Sequence, residues 1–300
     1  MNRPRRDTDL FNTMDITTAL QGWTFQPGQV NVRLIRGNDG RPKIQLRLDL
    51  GLLQMEIDGR PDGKKPHRAA TELAFHQRRL ASYAKRKGTT DGFVLSSRDC
   101  QALREESAMF YHRYLSLFVL EQYEAVVRDT QHNLDVLEIC NKFGQTEYDR
   151  MCLEQYRPYI LMMNIRAKAC EVLRQGYVQT SIAYLRGGIR LLARMFPVEH
   201  RRKMLRKSNE AHLLLDMIKQ IRAQLPADPR AEIRQKLKAA LKAERYEEAA
   251  AYRDQLLAMT AAMARPVTPP MRVKKQAAKG FSKSQPRPRK SKKTDGPASE

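Results

Sequence analysis

The chain has 300 residues, 41% of them hydrophobic, which is enough to bury a core in one or two domains. Its 55 Lys and Arg against 33 Asp and Glu give a formal charge of +22, which points to a polyanionic partner. No apolar run of about 18 residues occurs and MNRPRRDTDL lacks an apolar h-region, so neither a membrane span nor a secretory signal is expected and the chain reads as cytoplasmic.

Residues 1–22 are polar and weakly periodic, and are expected to form a loose arm. From 23 to 63 the period becomes two. Val30, Val32 and Leu34 alternate with Asn31 and Arg33; a Gly-Asn-Asp-Gly turn follows; then Ile44, Leu46 and Leu48, and finally Leu53, Met55 and Ile57, repeat the alternation. This predicts a three-stranded antiparallel meander with one apolar face for helices to cover. The turn that ends it, Asp58-Gly-Arg-Pro-Asp-Gly63 followed by two lysines, has only three residues between its glycines and no Ser or Thr after the Lys. It is therefore read as a turn and not as a phosphate loop.

Residues 64–227 read as a helical domain, so the fold class is mainly α with a small sheet (α+β). The pattern predicts helices over 68–87, ending at Gly88; from a Ser96-x-x-Asp99 cap to 121; over 123–140; over 148–175, with Pro158 near a start or a kink; over 177–196; one opened by Pro197; and one over 209–225. Cys100, Cys140, Cys152 and Cys170 fall at wide spacings in these segments and read as reduced core thiols. Three places share a turn followed by Tyr and an amphipathic helix: Glu121-Gln-Tyr123, Gln175-Gly-Tyr177 and Glu244-Arg-Tyr246. The first two resemble tetratricopeptide-type helix pairs, although spacings of 54 and 69 residues do not fit that family's period of about 34. Helical hairpins are expected, without a regular solenoid.

Residues 228–264 hold two short amphipathic patterns joined at 243–245. Ile233, Leu237, Ala240 and Leu241 mark one apolar stripe, and Tyr246, Ala249, Ala250, Leu256 and Leu257 the other, with Asp228-Pro229 as an N-cap signal. The set Leu237, Ala240, Glu244, Tyr246, Glu247, Ala249, Ala250, Arg253, Asp254 and Leu256 resembles the UVR motif, the small helix pair of bacterial excision-repair subunits. That resemblance covers about a tenth of the chain. It implies docking to another protein, often a second such hairpin, with no catalysis. The stretch 53–63 together with this hairpin is also similar to a set of bacterial UVR-domain proteins, planctomycete ones in particular, with no known activity. Expected partner-binding residues are Leu237, Leu241, Glu244, Tyr246, Glu247, Ala250, Arg253, Asp254 and Leu257. Arg253 has no acid one turn away on its own helix, while folding at 244–245 would bring Lys236 near Asp254.

The excess charge is patched. Residues 59–90 hold nine basic and two acidic residues, 186–207 hold eight and one, and 265–300 hold eleven and two, which leaves the rest of the chain at −1. Arg186, Arg190 and Arg194 fall on one helix face opposite Leu185, Ile189 and Leu192, and Arg201, Arg202 and Lys203 extend them. In the low-complexity tail, 265–300, Lys274, Lys275, Arg287, Arg289, Lys290, Lys292 and Lys293 add to the nucleic-acid-binding set. With Phe281 as its single aromatic, the tail is expected to be disordered and to bind phosphates without reading sequence. The six histidines form no His-x-x-x-His or Cys-His cluster, so no metal and no cofactor are expected. The sequence is thus read as a non-catalytic adaptor that docks a protein, an excision-repair subunit by resemblance, and touches nucleic acid. The alternative is a helical RNA- or ribosome-associated factor, or a regulator of protein quality control.

Overall fold

The period-two segment becomes a three-stranded antiparallel meander in the computed structural model, which describes residues 16–225 and 229–264. Strands β1 (Asn31–Arg36), β2 (Pro42–Arg47) and β3 (Leu52–Glu56) pair in that order. At the 37–40 turn Gly37 N donates to Arg41 O at 2.8 Å, and Gly40 takes φ 74°, which favours glycine. The register sets Val32 opposite Leu46 and Ile44 opposite Met55, so these four share one face. The other face carries a polar ladder. Arg33 Nε donates to Gln45 Oε1 at 2.9 Å, Gln45 Nε2 donates to Gln54 Oε1 at 3.0 Å, and the Arg33 guanidinium lies 4.1 Å from the Trp23 ring centre. Arg33 also donates to the Ala19 carbonyl in the short helix α1 (Thr17–Leu20), which lies within the stretch expected to be a loose arm. Both faces of β2 are therefore covered.

Helix α2 (Glu72–Lys87) is capped by Thr71, whose hydroxyl accepts from Ala74 N, and stops at Gly88 with φ 75°. It starts later than expected because His67 and Arg68 both take left-handed conformations after Pro66. The Ser96/Asp99 capping box opens α3 (Ser97–Val119) with both reciprocal bonds present. After α4 (Tyr123–Phe143), the helix expected over 148–175 is interrupted. It divides into α5 (Glu147–Met151), a 3-10 turn (Glu154–Tyr156) and α6 (Arg157–Arg174), with Pro158 in the first turn of α6, where a missing N–H has no bond to lose. Then come α7 (Val178–Arg194), a single-turn α8 (Arg201–Leu205) that begins later than Pro197 suggested, and α9 (Asn209–Gln224), capped by Ser208.

Short connections between helices make chain neighbours into packing neighbours: α3 lies on α4, α4 on α6, α6 on α7 and α7 on α9. One core joins Ile44, Leu46 and Met55 of the sheet to Leu117, Val126 and Leu185 of the helices. A second gathers Leu73, Phe93, Leu95, Leu103, Val136 and Phe143. A Cβ added at Gly188 would lie 2.6 Å from Ile165 Cδ1, so the glycine permits the close approach of α7 to α6.

Buried charges fix the turn after β3 to the helices. Arg113 and Asp129, both 0% exposed, pair through two bonds of 2.6 and 2.8 Å, and Arg113 Nη1 donates to the carbonyls of Glu56 and Gly59. Arg128 donates to Asp58 Oδ1 at 2.7 Å. Glu106, also fully buried, accepts from the Glu72 and Leu73 amides at the start of α2 and lies 3.1 Å from His132 Nε2. Burial pushes the Glu106 carboxyl up, but His132 and the two amides outweigh it and hold the group below its ordinary value. Removing one member of a buried pair such as Arg113–Asp129 typically costs about 3–5 kcal/mol.

The compact unit that contains the sheet ends at residue 226; the described part of the second unit is α10 (Pro229–Lys242) and α11 (Tyr246–Ala264), a helical hairpin. The three tyrosine-marked turns share a backbone motif. Glu121, Gly176 and Glu244 take φ 56°, 85° and 58°. The following residue in each case, Gln122, Tyr177 or Arg245, donates its amide to the carbonyl five residues back at 2.9 Å. Aligned on that bond, Tyr123 and Tyr246 open the next helix, whereas Tyr177 falls one position earlier. The recurrent element is the turn and not the aromatic.

Candidate partner and nucleic-acid interfaces

Within the hairpin, Ile233, Ala240 and Ala249 are buried, and Leu237, Ala250, Tyr252 and Leu256 half-buried, so small and aliphatic side chains line the contact between α10 and α11. Tyr246 is 67% exposed and Leu257 62%, which corrects the expectation that both sit on the internal stripe. The reason is helical phase. Tyr246, Ala250, Arg253 and Leu257 follow i, i+4, i+7, i+11 spacing, a row displaced by about 100° from the buried row of Ala249 and Leu256. Leu241, 51% exposed, is displaced by the same single-residue step from buried Ala240. Equal rotations on two antiparallel helices fall on one side of the pair, so Leu241, Tyr246 and Leu257 share a side of the hairpin.

Charges on the hairpin differ from expectation. Lys236 pairs with Glu232 on its own helix at 2.7 Å, and Asp254 takes Arg253, its sequence neighbour, at 3.0 Å. Arg253 thus has an intrahelical partner, and the Lys236–Asp254 pair is not made. The i, i+4 geometry brings Lys236 and Glu232 together on one turn, which outcompetes a bond across the hairpin. Arg245 pairs with Glu248 at 3.2 Å, and Glu244 and Glu247 are exposed.

On α7, Ser181, Ile182, Leu185, Gly188 and Leu192 are buried, and Arg186, Arg190 and Arg194 project from the opposite face. None of these three guanidinium groups makes an ion pair or a side-chain hydrogen bond among the described residues. Exposed Arg202 and Lys203 continue the cationic surface on α8. Arg201 does not belong with them, since it is half-buried and its Nε is enclosed without a partner. Lys274, Lys275, Arg287, Arg289, Lys290, Lys292 and Lys293 lie outside the described residues.

A third cationic surface was counted in the sequence but not recognised as a site. Arg78, Arg79 and Arg86 of α2 line a groove of about 680 Å³ together with Phe75, Tyr83 and Phe93. The Arg79 guanidinium stands 5.6 Å from the Phe75 ring centre and 5.8 Å from that of Phe93, and Arg86 stands 5.9 Å from that of Tyr83. Arg79 is also held by Asp99 at 3.2 Å, whereas Arg78 and Arg86 are exposed. Guanidinium groups beside aromatic faces suit a phosphate backbone with bases near it. The signal was the shared helix phase of Phe75, Arg79, Ser82 and Arg86, obscured because aromatics at helical spacing read as core. Arg60, by contrast, turns inward to Asp62 and Glu106 and does not belong to this surface. Compared with family models, with curated proteins and with solved structures, the chain matches none.

Proposed function

We propose that this protein is a non-catalytic adaptor whose C-terminal hairpin docks a protein partner while its cationic surfaces hold nucleic acid through phosphates, without reading sequence. The observation that carries the reading is the exposure of Leu241, Tyr246 and Leu257 on one side of a hairpin in which the large side chains of Ile233, Leu237, Tyr252 and Leu256 are buried or half-buried. Large side chains left out at regular spacing suit an amphipathic helix from another chain. The UVR-like residue pattern supports a partner that is itself a helical hairpin, such as an excision-repair subunit. Exposed arginines without acidic partners on α7 support the nucleic-acid arm, because each phosphate they neutralise releases condensed counterions.

The second reading, an RNA- or ribosome-associated factor, is favoured by the α2 groove, where aromatic rings accompany the cations. One experiment tests the division of labour. Replacing Leu241, Tyr246 and Leu257 by Ser should leave helicity and nucleic-acid retention near wild type and abolish capture of the protein partner. Replacing Arg186, Arg190 and Arg194 by Glu should do the reverse and lower the slope of log affinity against log salt by about three. Parallel loss of both activities in either variant would reject the scheme.

A further inference from the structure

The interruption of the helix expected over 148–175 leaves a cavity of about 740 Å³ between α3, α4, the 3-10 turn and α6, within the range of ligand sites. Five of the chain's eleven tyrosines, Tyr111, Tyr114, Tyr148, Tyr156 and Tyr159, line it. Tyr111 stands at right angles to Tyr114 with ring centres 5.5 Å apart, and 6.3 Å from Tyr159. None of the five hydroxyls bonds to a described residue. Burial, with the neighbouring phenols, raises the Tyr114 and Tyr159 pKa values, so these hydroxyls stay neutral and able to donate.

Asn133 forms part of the wall and is 2% exposed. Its Nδ2 donates to the Ser107 carbonyl at 2.9 Å, but its Oδ1 is enclosed with no hydrogen-bond partner. That oxygen has no surface open to the cavity, so it is not among the groups a ligand there would meet. The one cation in the wall, Arg104, is committed to Asp149 at 3.1 Å and lies over the Tyr148 ring. The cavity therefore offers flat aromatic walls and phenolic donors, and no free charge. Anionic groups find no counterion in it and alkyl chains leave its polar atoms unpaired. A flat neutral heteroaromatic ring with acceptor nitrogens on its edge suits both the rings and the hydroxyls.

We infer that this cavity takes one nucleobase, its rings against the tyrosines and its ring nitrogens accepting from their hydroxyls. A free nucleoside and a base within a single strand present the same chemistry; the second source rests on the nucleic-acid arm of the function proposed above. The test is calorimetric titration of the full chain with adenosine and, separately, with a short deoxyadenosine oligonucleotide. Tyr148→Ala and Tyr156→Ala are suited to it because those residues are 69% and 53% exposed, so their loss spares the core.

Saturable binding is expected, weakened about tenfold or more by Tyr156→Ala, as removal of a stacking ring weakens base binding. Binding of adenosine assigns the site to free nucleosides; binding of the oligonucleotide alone, with the same sensitivity to Tyr156→Ala, assigns it to a base in a strand. Insensitivity to both tyrosine substitutions would overturn the inference. Oligonucleotide affinity that persists unchanged in those variants leaves the nucleic-acid arm standing, whereas absence of binding by both adenosine and the oligonucleotide removes both.

Discussion

Asp149 accepts from Ser97 Oγ at 2.7 Å, Thr146 Oγ1 at 2.7 Å and Arg104 Nη1 at 3.1 Å, and these bonds lower its carboxyl pKa to about 2. The folded value lies below the ordinary one of about 3.9, so the stability Asp149 adds is complete above about pH 4 and is lost as pH falls from there towards about 2. Asp149→Asn should therefore lower stability at neutral pH and flatten the acid limb of the stability profile over that window. An acid limb of unchanged steepness, measured by denaturant unfolding at a series of pH values, would show that Asp149 is not the group responsible. Ser97 and Arg104 stand 52 and 45 positions away in the chain, so this cluster, like the Arg113–Asp129 pair and Asn133, left no local trace in the sequence. The Thr146 cap, three residues upstream of Asp149, did lie within local reach. Tyr246 illustrates a different failure: periodicity places a residue in phase with a stripe to within about one position, and one position is about 100°.

Among elements, the turns were the most legible and the interruption between α5 and α6 the least. Gly88 and the Ser96/Asp99 box act within four residues, so their signals survive without tertiary information. The meander was equally readable, because alternation and a Gly-rich turn set its register. By contrast, the break between α5 and α6 occurs in a segment with continuous helical character. It is accompanied there by long-range bonds such as that of Arg104 to Asp149. The shared turn motif gives a paired test. Gly176 takes a left-handed φ at no steric cost, whereas Glu121 incurs one at the equivalent position. Gly176→Ala should destabilise the protein by about 1–2 kcal/mol and Glu121→Gly should stabilise it, both read as shifts in the denaturant midpoint with unchanged slope. Shifts of the same sign would show that the two turns are not equivalent.

For the whole molecule, composition located the cationic segments but not which of their residues reach the surface. The patches at 59–90 and 186–207 do present exposed arginines, yet Arg60 and Arg201 turn inward, because counting charge carries no direction. The hairpin was legible as a hairpin, and the side on which it is exposed became clear only when burial fixed the phase of each helix. That side is where the adaptor reading is most directly tested. A photo-crosslinking amino acid placed at Tyr246 or Leu257 in cells should give a discrete adduct with one other polypeptide, and the same group at Gln255, which is exposed on the opposite flank of α11, should give none. Equal adducts at all three positions, or none at any, would contradict docking through this side of the hairpin.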